Sequence, residues 1–373
     1  MKRVFISVIN DLATDQRVHR VARLLASEGV EVICIGRSLP DSPEPEEAPF
    51  RIERFRMLFT RGPLFYASYN LRLWLKLMFA RKPDLLIPND LDTLPACYFA
   101  GRIRRIPLIY DSHEFFTQMP ELIHRKLVQS IWKLIEGSLL PRIRYAVTVN
   151  YSIATIYRRL YGTPFRVVRN MPERKVCQSR ELSQEGRREG QMIIYQGALN
   201  VSRGLELMID AMQYLEGARF VIAGSGDIEP ELKKRVEERG VSNRVEFVGR
   251  LLPGNLTALT MKADLGISLE EDRGLNYRYA LPNKLFDYIQ CRVPVLCSAL
   301  PEMTRVVESY GVGVASGEKD PEKLAGIIRY MLKERSGGAW MEALDRAAEE
   351  LCWENESEIY RDLLKECGVI ERQ

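Results

Sequence analysis

Short apolar runs that are typical of buried strands alternate with helix-like patterns along almost the whole chain, and this alternation occurs twice. Between the first two runs, Val18, Val21, Ala22 and Leu25 recur at the spacing of one face of a helix. Strands that are apolar throughout and separated by helices predict a parallel sheet covered on both faces. The strands predicted in the first half are Val4–Ile9, Glu31–Ile35, Leu85–Pro88, Leu108–Tyr110, Val147–Asn150 and Val167–Arg169.

The alternation restarts in the second half with the runs MIIYQG, RFVIAGSG, RVEFVG, LGISL, VPVLC and GVGVAS. Met208, Ala211, Met212 and Leu215 mark a helix face that matches the first one. A chain of 373 residues also suggests two domains of about 150 residues rather than one or three. The sequence therefore predicts an α/β protein with two facing Rossmann-like, doubly wound parallel-sheet domains and a ligand cleft between them.

The domain boundaries follow from a polar segment in the middle of the chain. The stretch ERKVCQSRELSQEGRREG, residues 173–190, is highly charged and lacks periodicity, which is typical of a linker or surface loop. We therefore expect the N-terminal domain over residues 1–172 and the C-terminal domain over residues 191–350. Residues 351–373 form a further helix whose Trp353, Ile359, Tyr360 and Leu363 need a surface to cover.

Cysteine usage and hydropathy indicate a cytoplasmic protein. The seven cysteines are scattered without a CxxC pair or neighbouring histidines, which favours reduced thiols over a disulfide framework or a zinc site. No stretch approaches the roughly 20 apolar residues of a membrane span. Residues 1–172 carry 26 Lys and Arg against 16 Asp and Glu, a net charge of +10. We expect an anionic partner for this half, a phospholipid surface or a phosphorylated lipid rather than nucleic acid.

The loop after the first predicted strand, NDLATDQRVHR, does not contain G-x-G-x-x-G. The dinucleotide fingerprint is therefore missing where a dehydrogenase would carry it. Asn10, Asp11 and Thr14 instead lie beside the start of the next helix, where they can bind an anion or an acceptor hydroxyl. Capping of that helix is the alternative interpretation.

His113 and Glu114 follow the carboxyl end of a predicted strand, which is where site residues collect in this class of fold. A histidine there can donate to a sugar hydroxyl or accept a proton near neutral pH, while a loop histidine with a purely structural hydrogen bond is the alternative. Asn89, Asp90 and Asp92 follow the preceding strand and offer polar groups to the same region, with helix capping as the alternative.

The second half places two cations at one end of its predicted sheet. Arg203 precedes a helix, and Lys284 lies at the start of the helix that begins near Pro282. Two cations beside exposed N–H groups suit a diphosphate. Asp287 is on the same helix face as Lys284, where it could accept hydrogen bonds from a ribose diol or form an intrahelical ion pair. Gly224 and Gly226 allow the backbone to approach a ligand, although such turns are often simply tight.

The segment Arg56–Lys82 mixes aromatic and aliphatic residues with basic ones and contains no acid. This composition is that of an amphipathic helix resting on anionic lipid. The alternative is a helix packed on the sheet with its basic side chains extending to water.

These residues together resemble the retaining GT-B-fold glycosyltransferases of family 4, also called glycosyl transferases group 1, over nearly the full chain. The resemblance rests on DSHE, VVRNMPE, GALNVSRGLELMIDAM, RFVIAGSGD, RVEFVGRL, LPNKLFDYIQCRVPVL and the late CWE. It implies a metal-independent transfer of a hexosyl or related group from a nucleotide diphosphate sugar, with retention and with no further cofactor. It also implies that the last helix crosses back to the N-terminal domain.

The family motifs assign roles to individual residues. His113 matches the histidine at the reaction centre, and Arg203 and Lys284 match the basic pair that holds the donor diphosphate. Asp287 falls where the family has the second Glu of its Glu–seven residues–Glu motif, the ribose ligand. The implied donor-binding positions are Gly197, Gly224, Gly226, Arg250, Leu251, Tyr279, Asn283 and Asp287. On the acceptor side we expect Asn10, Asp11, Asp90 and Glu114.

The chain departs from the family pattern in three places, which involve four residues. Tyr279 stands where the first Glu of the motif contacts the donor hexose, and Ala198 replaces an Arg that often follows the glycine matching Gly197. Asn10 and Asp11 replace the Gly-Gly common after the first strand. The acidic run Glu270–Asp272 lies upstream of Tyr279 and could take over part of the lost role.

The function we expect is glycosyl transfer to a glycan or lipid-linked acceptor in cell-surface polysaccharide synthesis, by a cytoplasmic protein that can lie peripherally on the inner membrane leaflet. One alternative is a sugar-nucleotide epimerase or hydrolase on the same fold. A catalytically weak subunit that binds a nucleotide sugar or an assembly partner is the other. The Tyr279 and Ala198 departures motivate this second alternative.

Overall fold

The computed structural model describes residues 1–13, 15–39, 47–175 and 190–371. The chain divides into two compact units. Unit 1 contains Met1–Asn170 together with the residues from Glu356 onward, and unit 2 contains Met171–Asn355. Both units are built from helices and parallel strands, so the predicted α/β class is confirmed. Most of the predicted linker, residues 176–189, lies outside the described residues, as does Thr14.

Up to Asn170, the described residues of unit 1 form seven strands and six helices. The strands are β1 (Arg3–Ser7), β2 (Glu31–Arg37), β3 (Arg51–Phe55), β4 (Leu85–Pro88), β5 (Ile109–Ser112), β6 (Tyr145–Thr148) and β7 (Arg166–Val167). The helices are α1 (Gln16–Ser27), α2 (Gly62–Phe79), α3 (Leu94–Arg104), α4 (Pro120–Ile123), α5 (Lys126–Leu139) and α6 (Tyr151–Tyr161). Short 3-10 turns occur at Phe116–Gln118 and Leu140–Arg142.

The strands of unit 1 are parallel and run in the order β3-β2-β1-β4 and then β5-β6-β7. Two isolated parallel bridges, Leu86 to Leu108 and Asn89 to Asp111, connect β4 with β5. The chain moves outward from β1 to β3 and then returns to the other side of β1, so the strand order reverses between β1 and β4. Loops at the carboxyl ends of strands beside such a reversal are the usual ligand sites of open parallel sheets.

The part of unit 2 that the structure describes contains six strands and eight helices. The strands are β8 (Gln191–Gln196), β9 (Ala218–Ala223), β10 (Val245–Gly249), β11 (Leu265–Ser268), β12 (Val295–Ser298) and β13 (Gly313–Ser316). The helices are α7 (Leu205–Ala211), α8 (Glu229–Glu238), α9 (Pro253–Thr260), α10 (Leu275–Arg278), α11 (Asn283–Gln290), α12 (Pro301–Tyr310), α13 (Pro321–Ser336) and α14 (Met341–Glu350), with a 3-10 turn at Met212–Tyr214.

The sheet of unit 2 is parallel throughout, in the order β10-β9-β8-β11-β12-β13, and its order reverses between β8 and β11. Both faces of this sheet are covered. Ile193 and Tyr195 of β8 pack into one core cluster, whereas Met192 and Ile194 pack into the other. Successive side chains of a strand point to opposite faces, so burial on both sides requires the continuous apolar run that marks this strand in the sequence.

The last helix, α15 (Trp353–Glu366), returns the chain to unit 1. Its Tyr360, Leu363 and Leu364 are buried. Arg361 forms an ion pair with Glu28 of unit 1 at 2.8 Å between Nε and Oε1. Among the described residues, no helix combines the length and the apolar character that crossing a bilayer would require.

Candidate functional site

The reversal point of the unit 2 sheet brings together residues that are far apart in sequence. Gly197 follows β8, Glu270 follows β11, and Lys284 is the second residue of α11. Lys284 is only 8% exposed. Its ammonium Nζ lies 2.9 Å from Glu270 Oε1 and 4.0 Å from the centroid of the Tyr195 ring. The Lys284 side chain is therefore held in place by a carboxylate and an aromatic face.

Glu270 is the centre of this group. Its side chain is fully buried, and it accepts hydrogen bonds from Lys284 and, at 2.7 Å, from the Ser268 hydroxyl. Burial alone would raise the pKa of Glu270, but the charge and hydrogen bond of Lys284 and the Ser268 hydrogen bond hold it below its usual value. Arg203 Nη1 lies 3.7 Å from the same carboxylate. The structure thus gathers Arg203 and Lys284, the predicted basic pair, around one ionised acid.

The two acids that follow Glu270 form ion pairs with other arginines, away from Arg203 and Lys284. Glu271 pairs with Arg273 at 2.7 Å, and Asp272 pairs with Arg278 at 2.7 Å, both at exposed positions. Only the first member of the acidic run therefore joins the cation cluster.

Glycines let the loops after β8 and β9 approach closely. Gly224 has φ +155°, and a Cβ there would lie 1.8 Å from the Gly197 carbonyl oxygen. A Cβ on Gly226 would lie 2.4 Å from the Leu199 carbonyl oxygen. Gly197 has φ +135°, and its backbone runs alongside the Lys284 side chain. These glycines are required for the packing of the loops that border the cations.

Asp287 lies one turn after Lys284 and makes other contacts. Its Oδ2 accepts from Gln196 Nε2 at 3.0 Å, and its Oδ1 is 3.7 Å from Lys175 Nζ. Gln196 in turn accepts from the Thr260 hydroxyl at 2.8 Å. Lys284 donates to Glu270, so the Asp287 carboxylate is held by Gln196 and Lys175 while 30% of its side chain is exposed.

The remaining predicted donor residues lie at the same end of the unit 2 sheet or on its helices. Arg250 is exposed and Leu251 half-buried, directly after β10. Asn283 is the exposed first residue of α11, and Tyr279 is a half-buried residue directly after α10.

In unit 1, His113 follows β5 and is tied to the loop after β4. Its backbone N–H donates to Asp90 Oδ1 at 2.8 Å, and its Nε2 lies 2.9 Å from Asn89 Oδ1. The ring is also 3.6 Å from Asp90 Oδ2 and 3.7 Å from Asp111 Oδ1. About a fifth of the His113 side chain is exposed. The structure therefore brings His113 and Asp90 together at the strand-order reversal.

The loop after β4 combines a left-handed backbone conformation with two carboxyl groups of raised pKa. Asp90 has φ +58°, a left-handed conformation that side-chain-bearing residues rarely adopt outside sites under special constraint. Burial raises the pKa of Asp90 to about 7, against the opposing charge of His113. Burial and the charge of Glu114 raise the pKa of Asp92 to about 8. Neither Asp90 nor Asn89 caps α3, whose N-cap residue is Thr93.

Asn10 and Asp11 follow β1. Asn10 donates to Asp15 Oδ2 at 2.8 Å, and Asp11 accepts from the Ala13 backbone at 3.0 Å. Asp15, which the sequence analysis did not single out, caps α1 by accepting from the Val18 backbone N–H. Glu114 is half-buried and directly follows His113, and its carbonyl accepts from the Ser112 hydroxyl.

Sequence reasoning also missed a buried ion pair beside His113. Arg17 of α1 binds Asp111 of β5 with a 2.8 Å contact between Nη2 and Oδ1, and donates to the Val168 carbonyl. Both side chains are buried. Burial would lower the pKa of Arg17, but Asp111 raises it overall. An arginine in the first turn of the helix after β1 was the available signal, yet its partner is 94 residues away.

These contacts give each unit a distinct chemical capability. Unit 2 presents two cations beside glycine-rich loops, an arrangement that can hold an anion such as a diphosphate. Unit 1 presents an imidazole and a carboxyl group of raised pKa, which can exchange hydrogen bonds or protons with hydroxyls. Within the described ranges, no group of three or more His, Cys, Asp or Glu side chains is arranged to hold a metal ion.

Two family models match the chain and together span most of it. The model described as Glycosyltransferase Family 4 matches residues 15–171, and the model described as Glycosyl transferases group 1 matches residues 179–350. The first match includes His113, and the second includes Arg203, Glu270 and Lys284.

The chain is also similar to individual proteins, one by sequence and two by structure. The chain is 24% identical over 254 residues to alpha-D-kanosaminyltransferase of Streptomyces kanamyceticus, a match that covers 64% of this chain and 64% of the relative's own length. Sucrose-phosphate synthase from Thermosynechococcus elongatus superposes with a TM-score of 0.79 at 15% identity, over 98% of this chain and all of that one. HepE of Anabaena, solved in complex with UDP, gives 0.73 at 15% identity over the same shares.

Proposed function

Because the chain belongs to the GT-B glycosyltransferases of family 4, we propose that it transfers a sugar from a nucleotide diphosphate sugar to a glycan or lipid-linked acceptor. The observation that carries this proposal is the convergence of Lys284 and Arg203 on Glu270 at the strand-order reversal of unit 2. Structures of HepE with UDP and with UDP-glucose support a donor of this chemical class.

The cations have a direct role in the proposed reaction. As the bond between the sugar and the diphosphate breaks, negative charge grows on the leaving phosphate. Lys284 and Arg203 neutralise that charge from fixed positions, since Lys284 is already held by Glu270 and the Tyr195 ring. We propose that the transfer depends on these side chains rather than on a metal ion, and that the sugar keeps its anomeric configuration.

Residues of both units complete the proposed substrate contacts. Asp287 accepts hydrogen bonds from the ribose, since its carboxylate is partly exposed beside the cations. His113 and Asp90 contact hydroxyl groups of the reacting sugars, with Asn10, Asp11 and Glu114 on the acceptor side. The donor is a hexose or related sugar, and Tyr279 contributes to its selection in place of a carboxylate. We place the reaction in cell-surface polysaccharide synthesis, in the cytoplasm at the inner membrane leaflet.

A matched pair of lysine variants tests the proposal. Purified protein is incubated with a panel of nucleotide sugars and a membrane extract, and release of nucleoside diphosphate is measured. Lys284→Ala should reduce release by about 100-fold, because one charge contact to the transition state is lost. Lys262→Ala removes an exposed lysine of the same unit and should behave like the wild type. Equal release from wild type and Lys284→Ala would reject the proposal.

The second candidate is a weakly catalytic subunit that binds a nucleotide sugar. Tyr279 and Ala198 favour it, since both replace polar groups that the family uses toward the donor. A thermal shift with nucleoside diphosphates that is absent in Lys284→Ala, combined with no turnover by either protein, would select this candidate.

A further inference from the structure

Exposed large apolar side chains are concentrated on three neighbouring helices of unit 1. Eleven of the twenty found among the described residues lie on α2, α3 and α5 or just before α2. Helix α3 packs against both α2 and α5, and the rings of Tyr66 on α2 and Trp132 on α5 are 5.2 Å apart. The eleven are Leu58, Phe59, Leu64, Leu71, Leu75, Phe79, Phe99, Ile103, Leu127, Ile131 and Leu134. We call this surface the apolar face.

The apolar face is separate from the sides of the helices that build the core. Helix α2 buries Phe65, Tyr69, Leu73 and Leu77, which recur every four residues. Its exposed members lie on the opposite side, and Phe79 is 83% exposed. The core-facing side of each helix is therefore already packed, and the exposed apolar residues are not part of that packing. Exposed apolar side chains grouped on neighbouring helices in this way usually mark a binding surface.

Helix α5 repeats this arrangement. Trp132, Glu136 and Leu139 are buried, while Leu127, Ile131 and Leu134 are exposed at the i, i+4, i+7 spacing of a single stripe. Leu127 is 84% exposed. The sequence analysis considered a lipid-facing role for α2 alone, so α5 adds an independent element to the same surface.

The charges around the apolar face are almost all positive. The segment 56–82 contains six Lys and Arg and no acid. Of these, Arg61, Arg81 and Lys82 are exposed, and Lys126 and Lys133 of α5 are exposed as well. Beside α3, a cavity of about 460 Å³ is lined by Tyr98, Tyr145, the arginines Arg102, Arg105, Arg142 and Arg144, and one acid, Glu366, which pairs with Arg166. Guanidinium groups in such a cavity suit a phosphate.

We propose that the apolar face is a docking surface for an anionic lipid bilayer. Leucines and phenylalanines would enter the boundary between headgroups and acyl chains, and the surrounding cations would bind lipid phosphates. A second copy of the chain fits less well, because a twofold contact would place the same cations against each other. This inference names the membrane partner of the proposed function, but vesicle binding requires neither donor nor turnover, so the two can fail separately.

Vesicle flotation tests the proposal with the full chain. Vesicles of phosphatidylcholine with one third phosphatidylglycerol should bind the wild type, and pure phosphatidylcholine should bind it at least tenfold more weakly. Leu127→Glu with Leu134→Glu should weaken binding to the anionic vesicles by about tenfold or more, since each buried leucine contributes that order of partitioning. Leu252→Glu, at an equally exposed position in unit 2, should bind as the wild type does.

Arg81→Glu with Lys82→Glu separates the charge contribution. This variant should bind anionic vesicles more weakly than the wild type, and the binding that remains should depend less on salt, with an unchanged circular dichroism spectrum. No binding of the wild type to anionic vesicles would overturn the proposal. So would a concentration-dependent dimer in sedimentation that Leu127→Glu disrupts while vesicle binding is unaffected.

Discussion

At the scale of single residues, the most informative arrangement is the carboxylate that lies between two cations. Glu270 pairs with Lys284 at a position that is 8% exposed, where an unpaired ammonium would be strongly disfavoured. In the absence of a ligand, Glu270 also offsets part of the positive charge that would attract a diphosphate. The same residue therefore stabilises the free protein and limits the affinity for the proposed ligand.

Glu270→Gln separates these two effects. The variant leaves Lys284 without its counter-charge, so its free energy of unfolding should fall by about 3 kcal/mol. A bound diphosphate restores the missing negative charge. UDP, GDP or ADP should therefore raise the melting temperature of Glu270→Gln by more than that of the wild type.

The neighbouring Glu271→Gln is the matched control for this prediction. Glu271 lies next in sequence but pairs with Arg273 at the surface. Its variant should keep both the stability and the nucleotide-dependent shift of the wild type. Shifts that are no larger in Glu270→Gln than in the wild type would show that Glu270 does not limit diphosphate binding.

Asp92 predicts a pH dependence of stability. An aspartate has a pKa near 3.9 in the unfolded chain, and burial raises the pKa of Asp92 to about 8. Between these values the folded state holds a proton that the unfolded state has lost, so stability decreases as pH rises. Asp92→Asn should remove a decrease of about 2 kcal/mol between pH 6 and pH 8. Urea unfolding at both pH values, with the exposed Asp362→Asn as control, measures it.

The functional residues differ in how visible they are in the sequence. Lys284 could be predicted because it lies at the start of the helix that begins near Pro282, where exposed N–H groups and a cation together suit an anion. Glu270 could not be assigned as its partner, since the pair forms only when the loop after β11 and α11 meet. Asp111 is the same case: it directly follows the predicted strand Leu108–Tyr110, and only the fold brings Arg17 to it.

At the scale of elements, the buried strands were the most predictable part of the fold. The predicted strand Leu85–Pro88 agrees with β4 at both ends, while Val4–Ile9 extends two residues beyond β1. Strand β3 was not predicted at all. It pairs only with β2 at the edge of the sheet, and its sequence RIERF is mostly charged, with only Phe55 buried. An edge strand has little apolar burial to mark it in the sequence.

Helix α2 shows why two interpretations of one segment need not exclude each other. Its four buried residues pack on the sheet, as one interpretation required. Its exposed leucines remain on the outer side and leave the lipid interpretation open. Composition could not separate the two, because a helix that serves a core and a bilayer is apolar on both sides.

At the scale of the whole molecule, unit 1 is assembled from both ends of the chain. Glu356 on α15 binds Arg169 through three hydrogen bonds: to the backbone N at 2.6 Å, to Nε at 2.8 Å and to Nη2 at 2.6 Å. The two residues are 187 positions apart, and the Glu356 side chain is almost fully buried. Unit 1 therefore depends on a segment that is synthesised after all of unit 2.

Glu356→Ala tests this dependence. The substitution leaves a backbone N–H and a guanidinium of Arg169 without their acceptor, so unit 1 should lose about 3 kcal/mol of unfolding free energy. Hydrogen exchange should accelerate in β6, β7 and α15, while the sheet β8–β13 keeps its protection.

Glu358→Ala provides the comparison on the same helix. Glu358 is exposed and pairs with Arg361 at the surface, where an ion pair contributes at most about 1 kcal/mol. Its exchange pattern should match that of the wild type. If Glu356→Ala instead exchanges uniformly faster in both units, then the two units unfold together and the Arg169–Glu356 contact stabilises the whole chain. Unchanged exchange in β6, β7 and α15 would show that the returning helix is held by its buried apolar residues alone.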